Sequence, residues 1–388
     1  MLGRPLQASF PGDLSLAEKP WMSLPSAKMR RPRRSDPFAW CYTYTGFSLA
    51  FARAALTQLG AQSGSTVLDP FAGSGTNLIA AALAGCSALG IDISPFSALL
   101  SRTRLATAVN PKRVLDCLNV STRARHLPSD LQVLHSHDEA YAATVLSKIC
   151  DSLEMKPHDF WAALLADDVG RYDNEAVVVL SLSLGARDCA RLIRGSNPIW
   201  YRRMSGDQNS GLGDLRAAAV AWGTSIARDL TVSEPITRRG TRIVNADFTS
   251  ERFKGAFDFC LTSPPYLNRL DYVVAHLPEL SILKHVAPIN MERLRSAMIG
   301  TTKIVSKDDT PIPAEWGPSC RLALERIWDH KAYASRRYYY HTYRQYFTHL
   351  YTSLQRLTKM LRKRAPRYYC DSELILQRCE YGHSDYCI

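Results

Sequence analysis

The sequence predicts an α/β fold: a parallel, Rossmann-like sheet interrupted by a helical insertion. Three observations predict it. Short apolar runs at 66–69 and 87–93 alternate with Ala- and Leu-rich helical stretches, at the pitch of a parallel strand–helix unit. A turn with two glycines joins the first run to its helix. The strand rhythm then stops at 106 and resumes at 241–247 and 257–262, after a long stretch of helical pattern.

Each element follows from its residues. Residues 1–40 are rich in Pro, Ser and basic side chains, including Lys28-Met-Arg-Arg-Pro-Arg-Arg34, and show no periodicity. They read as a basic, mobile or surface-draped arm; a solvated tail and a polyanion-contacting arm both fit. From Phe47 to Leu59 apolar residues recur at helical spacing. Thr66-Val-Leu-Asp69 reads as a buried strand and Pro70–Gly75 as the turn. Thr76–Ala84 is a helix that Gly85 stops. Ser87–Ile93 is a second strand. Ser94 then caps a further helix that Pro95 opens.

The first half of the sheet domain thus covers 41–105, the insertion 106–235 and the second half 236–388. Within the insertion, Ala142–Leu153, Glu175–Arg194 and Gly211–Asp229 have helical pattern, and a small helical subdomain is expected. Helical pattern returns at 274–286 and runs from about Ala332 to Arg364. From Lys331 to Cys370 there is no acidic residue.

Composition narrows the class. The chain has 388 residues, 46% of them hydrophobic, which suffices for one elaborated domain or two. No apolar run approaches the roughly 18–20 residues of a membrane helix, and the N-terminus lacks a secretory h-region. A soluble cytoplasmic protein without membrane contact is expected. The ten cysteines include no C-x-x-C pair, so buried thiols are expected and no metal site. The net charge of +12 favours a polyanionic partner only in company with a suitable site.

The turn Asp69-Pro-Phe-Ala-Gly-Ser-Gly-Thr76 provides that chemistry. Gly73 and Gly75 let the backbone reverse sharply and approach a ligand without a Cβ in the way. The helix that begins at Thr76 then presents free N–H groups and a positive dipole end, suited to an anionic group. Asp69 can accept from an ammonium group, and Phe71 can pack on the ligand. Asp92, beside Ile93, can take both hydroxyls of a ribose, as acids do in dinucleotide sites, or can cap the next helix. Asp247 can accept from an adenine amine, or serve as a polar strand end.

A second motif, Thr262-Ser-Pro-Pro-Tyr266, follows directly on a buried-type strand. With the first it carries a resemblance: the chain is similar to the DNA amino-methyltransferases, which modify N4 of cytosine or N6 of adenine. Asp69–Thr76 resembles their first motif, with Pro70 inside it. Phe47-Ser48-Leu49 resembles the segment before it, and Thr262–Tyr266 their catalytic motif. The resemblance extends into Leu267–Tyr272 and Leu294–Gly300. It implies the class I methyltransferase sheet, S-adenosyl-L-methionine as cofactor and double-stranded DNA with a flipped base as substrate. The implied cofactor residues are Phe47, Ser48, Asp69, Pro70, Phe71, Gly73, Gly75, Thr76, Asp92, Ile93 and Asp247. The implied catalytic residues are Ser263, Pro264, Pro265 and Tyr266.

Chemistry supports these residue types. An exocyclic base amine is a poor nucleophile, because its lone pair is delocalised into the ring. Acceptors aimed at its N–H protons, from Ser263 and a backbone carbonyl, pull the nitrogen toward tetrahedral geometry. The two prolines stiffen the loop that aims them. Tyr266 offers a π-face to a flipped base; flipping costs about a few kcal/mol and stacking returns about 1–3.

In this family Ser before Pro-Pro usually accompanies cytosine N4, so N4-cytosine is favoured and N6-adenine is the nearest alternative. An RNA base methyltransferase and an inactive nucleic-acid-binding remnant are the other readings. The insertion is the expected target-recognition region, with Arg191–Arg203 (Trp200, Tyr201, Arg202, Arg203) either meeting nucleic acid or forming a solvated face. Arg336–Arg344 is a second candidate surface. The end of the chain departs from the family: a polar tail follows Arg364 where relatives have three more strands. Incomplete C-terminal strands, a truncation or frame change near 364 and a catalytic strand left at the sheet edge are therefore expected.

Overall fold

The computed structural model describes residues 24–27, 40–41, 46, 48–121, 133–194, 201–203, 214–233, 236, 238, 240–267, 271–305, 307–362, 367–370 and 375–377. Most of the basic arm, Phe47 and Trp200 lie outside the described residues.

The first half follows its local signals closely. Helix α1 (Leu49–Gln58) is capped by Ser48, whose Oγ accepts from Phe51 N at 3.2 Å and donates to Ser26 O at 2.9 Å. Then come β1 (Thr66–Asp69), α2 (Thr76–Leu83), β2 (Ser87–Asp92) and α3 (Pro95–Arg104). Ser94 caps α3 by accepting from Ser97 N at 3.3 Å, with Pro95 in the first turn.

The insertion holds helices α4 (Pro111–Leu118), α5 (Ser136–Ser152), α6 (Pro157–Ala166) and α7 (Asp173–Cys189). A short antiparallel pair, β3 (Leu192–Arg194) and β4 (Tyr201–Arg203), and helix α8 (Leu215–Val232) follow. The expected helices are present, but they do not form a subdomain with its own core. Val177–Leu180 of α7 share one buried apolar cluster with Leu78 of α2 and Phe96 and Leu99 of α3. The reason lies in α7 itself: it is apolar around its circumference and buried along nearly its whole length, so it must sit inside.

A buried ion network fastens the insertion. Arg102 of α3 meets Asp167 at 2.7 Å and Asp173 at 2.8 Å, and Arg238 meets Asp173 at 2.6 Å. Asp173 also accepts from Thr107 N and Ala108 N, at 2.7 and 2.8 Å. Such a network holds because every charge faces an opposite one; removing one partner would strand the others.

The second half runs through β5 (Arg242–Asn245), β6 (Phe259–Thr262), α9 (Tyr272–Ala275), α10 (Leu277–Leu283), α11 (Met291–Ala297) and α12 (Pro318–Asp329). A π-helical turn, Ser335–Tyr339, leads into α13 (Tyr340–Met360), and β7 (Arg367–Cys370) and β8 (Ile375–Gln377) close the described chain. The helical pattern at 274–286 is thus broken at His276, and the one beginning at Ala332 contains the π turn.

The sheet order is β5-β2-β1-β6-β7-β8, with β8 alone antiparallel. This corrects the expectation that β6, the catalytic strand, lies at an edge. Its outer side pairs with β7 from Cys260↔Arg367 to Thr262↔Tyr369. The aromatic residues Tyr368 and Tyr369 favour a strand, and the open polar edge of β6 offers the partner. The central strands lie between two helical layers. The insertion helices and α1–α3 cover one face; Leu357, Met360 and Leu361 at the end of α13 pack on Leu68, Leu89, Ile91 and Cys260 on the other.

Candidate active site

Parallel pairing brings the carboxyl ends of β5, β2, β1, β6 and β7 to one edge of the sheet. The chain leaves β1 toward β2 on one side and returns as β6 on the other. That reversal opens the crevice where α/β sheets bind ligands. Asp69 and Thr262 end β1 and β6 at this point.

The turn after β1 is shaped by its glycines. Gly73 and Gly75 have φ of +52° and +76°, in the left-handed region. A Cβ on Gly75 would stand 2.8 Å from Ser101 Cβ, so glycine also permits α3 to pack here. A Cβ on Gly73 would meet nothing nearer than Phe71 O at 4.0 Å, so that backbone is open to approach. Ser101 Oγ donates to Gly73 O at 2.8 Å and Arg104 Nη1 to Ser74 O at 2.7 Å. The turn's carbonyls are thereby engaged from α3, behind the N-terminus of α2. Burial pulls Arg104 down to about 10, which leaves it a cation at neutral pH.

Two carboxylates brace the crevice. Asp92 accepts from Gly73 N and Ser94 N, both at 2.8 Å, so it supports the turn and the start of α3 together. Asp69 is buried and accepts from Thr262 Oγ1 at 2.7 Å, Asn77 Nδ2 at 2.8 Å and Phe71 N at 3.2 Å. Asn77 also donates to Leu261 O at 2.5 Å. Desolvation raises both carboxyls to about 6, against the lowering effect of these hydrogen bonds.

The remaining residues of the first motif differ in surroundings. Pro70 is buried, and Thr76 Oγ1 lies 3.4 Å from Ser74 Oγ. Phe71 is half-buried and meets Phe248 edge-on, with ring centroids 6.1 Å apart; Phe248 stacks on Phe253. Ile93 is half-buried against the main core. Ser48 has its hydroxyl committed to the α1 cap and Ser26, and Phe47 is outside the described residues. Asp247 lies beyond β5, which ends at Asn245; its Oδ1 accepts from Thr249 N at 2.8 Å and Thr249 Oγ1 at 2.7 Å, capping a turn.

The loop of the second motif leaves β6 at Thr262. Ser263 Oγ and Tyr266 OH are 3.2 Å apart, so both hydroxyls share one hydrogen bond. Tyr346 OH of α13 donates to Pro265 O at 3.0 Å. A Cβ on Gly300 would stand 3.0 Å from Tyr266 O. The loop is thus clamped from residues far along the chain.

Sequence reasoning missed Asn77, Asn245, Gly300 and Tyr346. Asn77 joins the first turn to β6, and Asn245 Nδ2 donates to Asp92 O at 3.0 Å and Ile93 O at 2.9 Å. A polar residue on the apolar face of α2 was the available signal for Asn77; nothing local marked Tyr346. Among the described residues no group of His, Cys, Asp and Glu forms a metal site, and no helix is long and apolar enough to cross a membrane.

Residues 40–101 match the family model described as DNA methylase. The chain is also similar to Type II methyltransferase M.BsoBI of Geobacillus stearothermophilus, with 40% identity over 58 residues. The aligned stretch covers 15% of this chain and 11% of that relative. No solved structure matches the chain. The family-model match includes the first strand, the glycine turn and the second strand. By these matches residues 40–101 resemble the DNA methylases, and the chain spans about a tenth of the length of the curated relative it matches.

Proposed function

We propose that this protein methylates an exocyclic amine of a base turned out of double-stranded DNA, with N4 of cytosine the favoured target. One observation carries the reading. Asp69 of the cofactor turn is bonded to Thr262 of the catalytic loop at 2.7 Å, and Asn77 bridges Asp69 and the end of β6. A methyl donor at the first motif and an amine at the second would be neighbours across that bond.

The residues fit S-adenosylmethionine. The open backbone at Gly73 and the N–H groups at the start of α2 suit a carboxylate. Asp92 suits the ribose hydroxyls, and Phe71 with Phe248 suits an adenine face. Bound there, the cofactor supplies an electrophilic methyl group. Ile93, just beyond β2, and Asp247, two residues beyond β5, are the remaining residues assigned to the cofactor.

The chain's own residues prepare the amine. Ser263 Oγ accepts from one N–H, and the hydrogen bond to Tyr266 orients it. With the Pro265 carbonyl held by Tyr346, the Pro264 carbonyl is the backbone acceptor assigned to the other N–H. Tyr266 stacks on the base, and the paired prolines keep the acceptors aimed.

The test incubates the protein with methyl-labelled S-adenosylmethionine and separate DNA and RNA pools, then identifies the modified nucleoside. N4-methylcytosine in DNA is expected. N6-methyladenine would move the target base, and label only in RNA would change the substrate. Ser263→Ala and Tyr266→Ala should each lower transfer about 100-fold or more while cofactor affinity holds. Retained transfer in both would remove the loop from catalysis.

A further inference from the structure

We propose that the exposed turn between α12 and α13, residues 328–337, grips the DNA duplex beside the base held at the catalytic loop. The duplex as occupant rests on the DNA-methylation reading above.

The turn displays what soluble proteins normally bury. Trp328 is 40% exposed and Tyr333 is 76% exposed. Each carries an arginine. The Arg336 guanidinium carbon lies 5.4 Å from the Trp328 ring centroid, and that of Arg337 lies 4.4 Å from the Tyr333 centroid. Arg336 Nε also donates to Trp328 O at 2.6 Å, and Arg337 bonds to the Tyr333 hydroxyl. Among the described residues neither arginine is in an ion pair, so both charges are uncompensated on the surface. Stacking holds the planar groups in place before a ligand arrives, which reduces the ordering cost of binding phosphate.

Beyond Asp329 the charge of the turn is one-sided. The sequence has no acidic residue from Lys331 to Cys370. Glu325 and Asp329 of α12 line a cavity with Asp309, Tyr340 and Trp328 itself, so the acids flank the α12 end of the turn. A polyanion therefore meets the turn at Lys331–Arg337.

The platform is stiff and coupled to the catalytic loop. His330 Nδ1 lies 3.0 Å from Ser335 Oγ and accepts from Ala332 N at 3.1 Å, which locks the turn. Tyr338 OH donates to Thr302 O at 2.9 Å. Arg344, buried, holds Asp308 at 2.9 Å and Thr310 at 2.7 Å. The same helix carries Tyr346, bonded to Pro265 O. The rise from Arg337 to Tyr346 is about 14 Å at about 1.5 Å per residue.

The test uses the full chain and a fluorescently labelled mixed-sequence duplex, with anisotropy titrations across a salt series. R336Q/R337Q should weaken binding about tenfold or more and reduce the slope of log K against log salt by about 2, one phosphate per arginine. Tyr333→Leu should weaken binding about threefold. Lys359→Gln, which removes one positive charge near the far end of α13, should leave the slope unchanged. Cofactor affinity and the thermal midpoint should hold in all three. Unchanged affinity and slope in R336Q/R337Q, or no duplex binding by the wild type, would overturn the proposal. A wild type that binds duplex through these arginines but transfers no methyl would remove the methylation reading and leave the surface standing. A wild type that methylates DNA with unchanged KM for DNA in R336Q/R337Q would do the reverse.

Discussion

The turn at 70–76 and the loop at 262–266 lie on neighbouring strand ends, yet they are held by different means. The turn is fastened by residues close in sequence: Asp92 to Gly73, Ser101 to Gly73 and Arg104 to Ser74. The loop is fastened from a distance, by Asp69 to Thr262, Tyr346 to Pro265 and the close approach of Gly300 to Tyr266. The first is a local motif that one strand–helix–strand unit can build. The second takes its shape only when the sheet closes and α13 docks. A change in the turn should act on cofactor binding, and a change in the clamp should act on transfer. Asp69, which belongs to both, should act on each.

That contrast can be broken most severely at Asp69. Asp69→Ala removes the acceptor for Thr262 Oγ1, Asn77 Nδ2 and Phe71 N in a buried place. Relief from burying a carboxylate offsets part of the loss, and a net destabilisation of about 1–3 kcal/mol is expected. Urea unfolding measures it. Transfer and cofactor affinity should fall together; an unchanged cofactor affinity would show that the two regions are not joined through this residue.

A smaller effect separates the turn from the loop by pH. Asp92 is raised to about 6 by burial. A carboxyl with a raised folded value contributes stability that is full below its ordinary range near 3.8 and is lost as pH rises through about 6. Hydroxyl donors prefer the ionised carboxylate, so cofactor affinity should run the opposite way. Calorimetric titration with S-adenosylhomocysteine should show affinity rising with pH to a plateau above about 6, with a limiting slope of about tenfold per unit below it. Asp92→Asn should flatten that rise. A flat wild-type profile would remove Asp92 from the ribose.

The smallest effect isolates the clamp. Tyr346→Phe removes one hydrogen bond to Pro265 O, worth about 0.5–1.5 kcal/mol. Single-turnover transfer should slow about 3- to 10-fold, with cofactor affinity unchanged. Equal losses in rate and cofactor affinity would mean that Tyr346 supports the whole crevice instead of aiming the loop.

Legibility tracks the same divide. Ser94 and Pro95 announce their helix start because capping is local chemistry, and both perform as their types predict; the cap at Ser48 was not read from the sequence. Asp92 was readable either as a ligand acceptor or as a cap. Its carboxylate accepts from Ser94 N and also from Gly73 N, and the second bond depends on β1 and β2 lying side by side. The edge position expected for β6 failed for a related reason: Arg367–Cys370 looks like part of a polar tail until an unpaired strand edge stands beside it. The helical insertion was visible as helices, but its merger with the main core was not. Which apolar face meets which is settled by packing, and the charges that fasten it, Arg102, Asp167, Asp173 and Arg238, are scattered along the chain.

By itself the sequence determined the strand–turn–helix unit around Asp69–Thr76, the second strand with Asp92 and the loop Thr262–Tyr266, because glycine conformation, capping and proline stiffness act over a few residues. Only the tertiary structure decided that Asp69 and Thr262 share a hydrogen bond, that β6 is an interior strand and that Tyr346 holds the loop. Those outcomes depend on parallel pairing and on the docking of α13, which join residues distant in sequence through the burial of apolar faces.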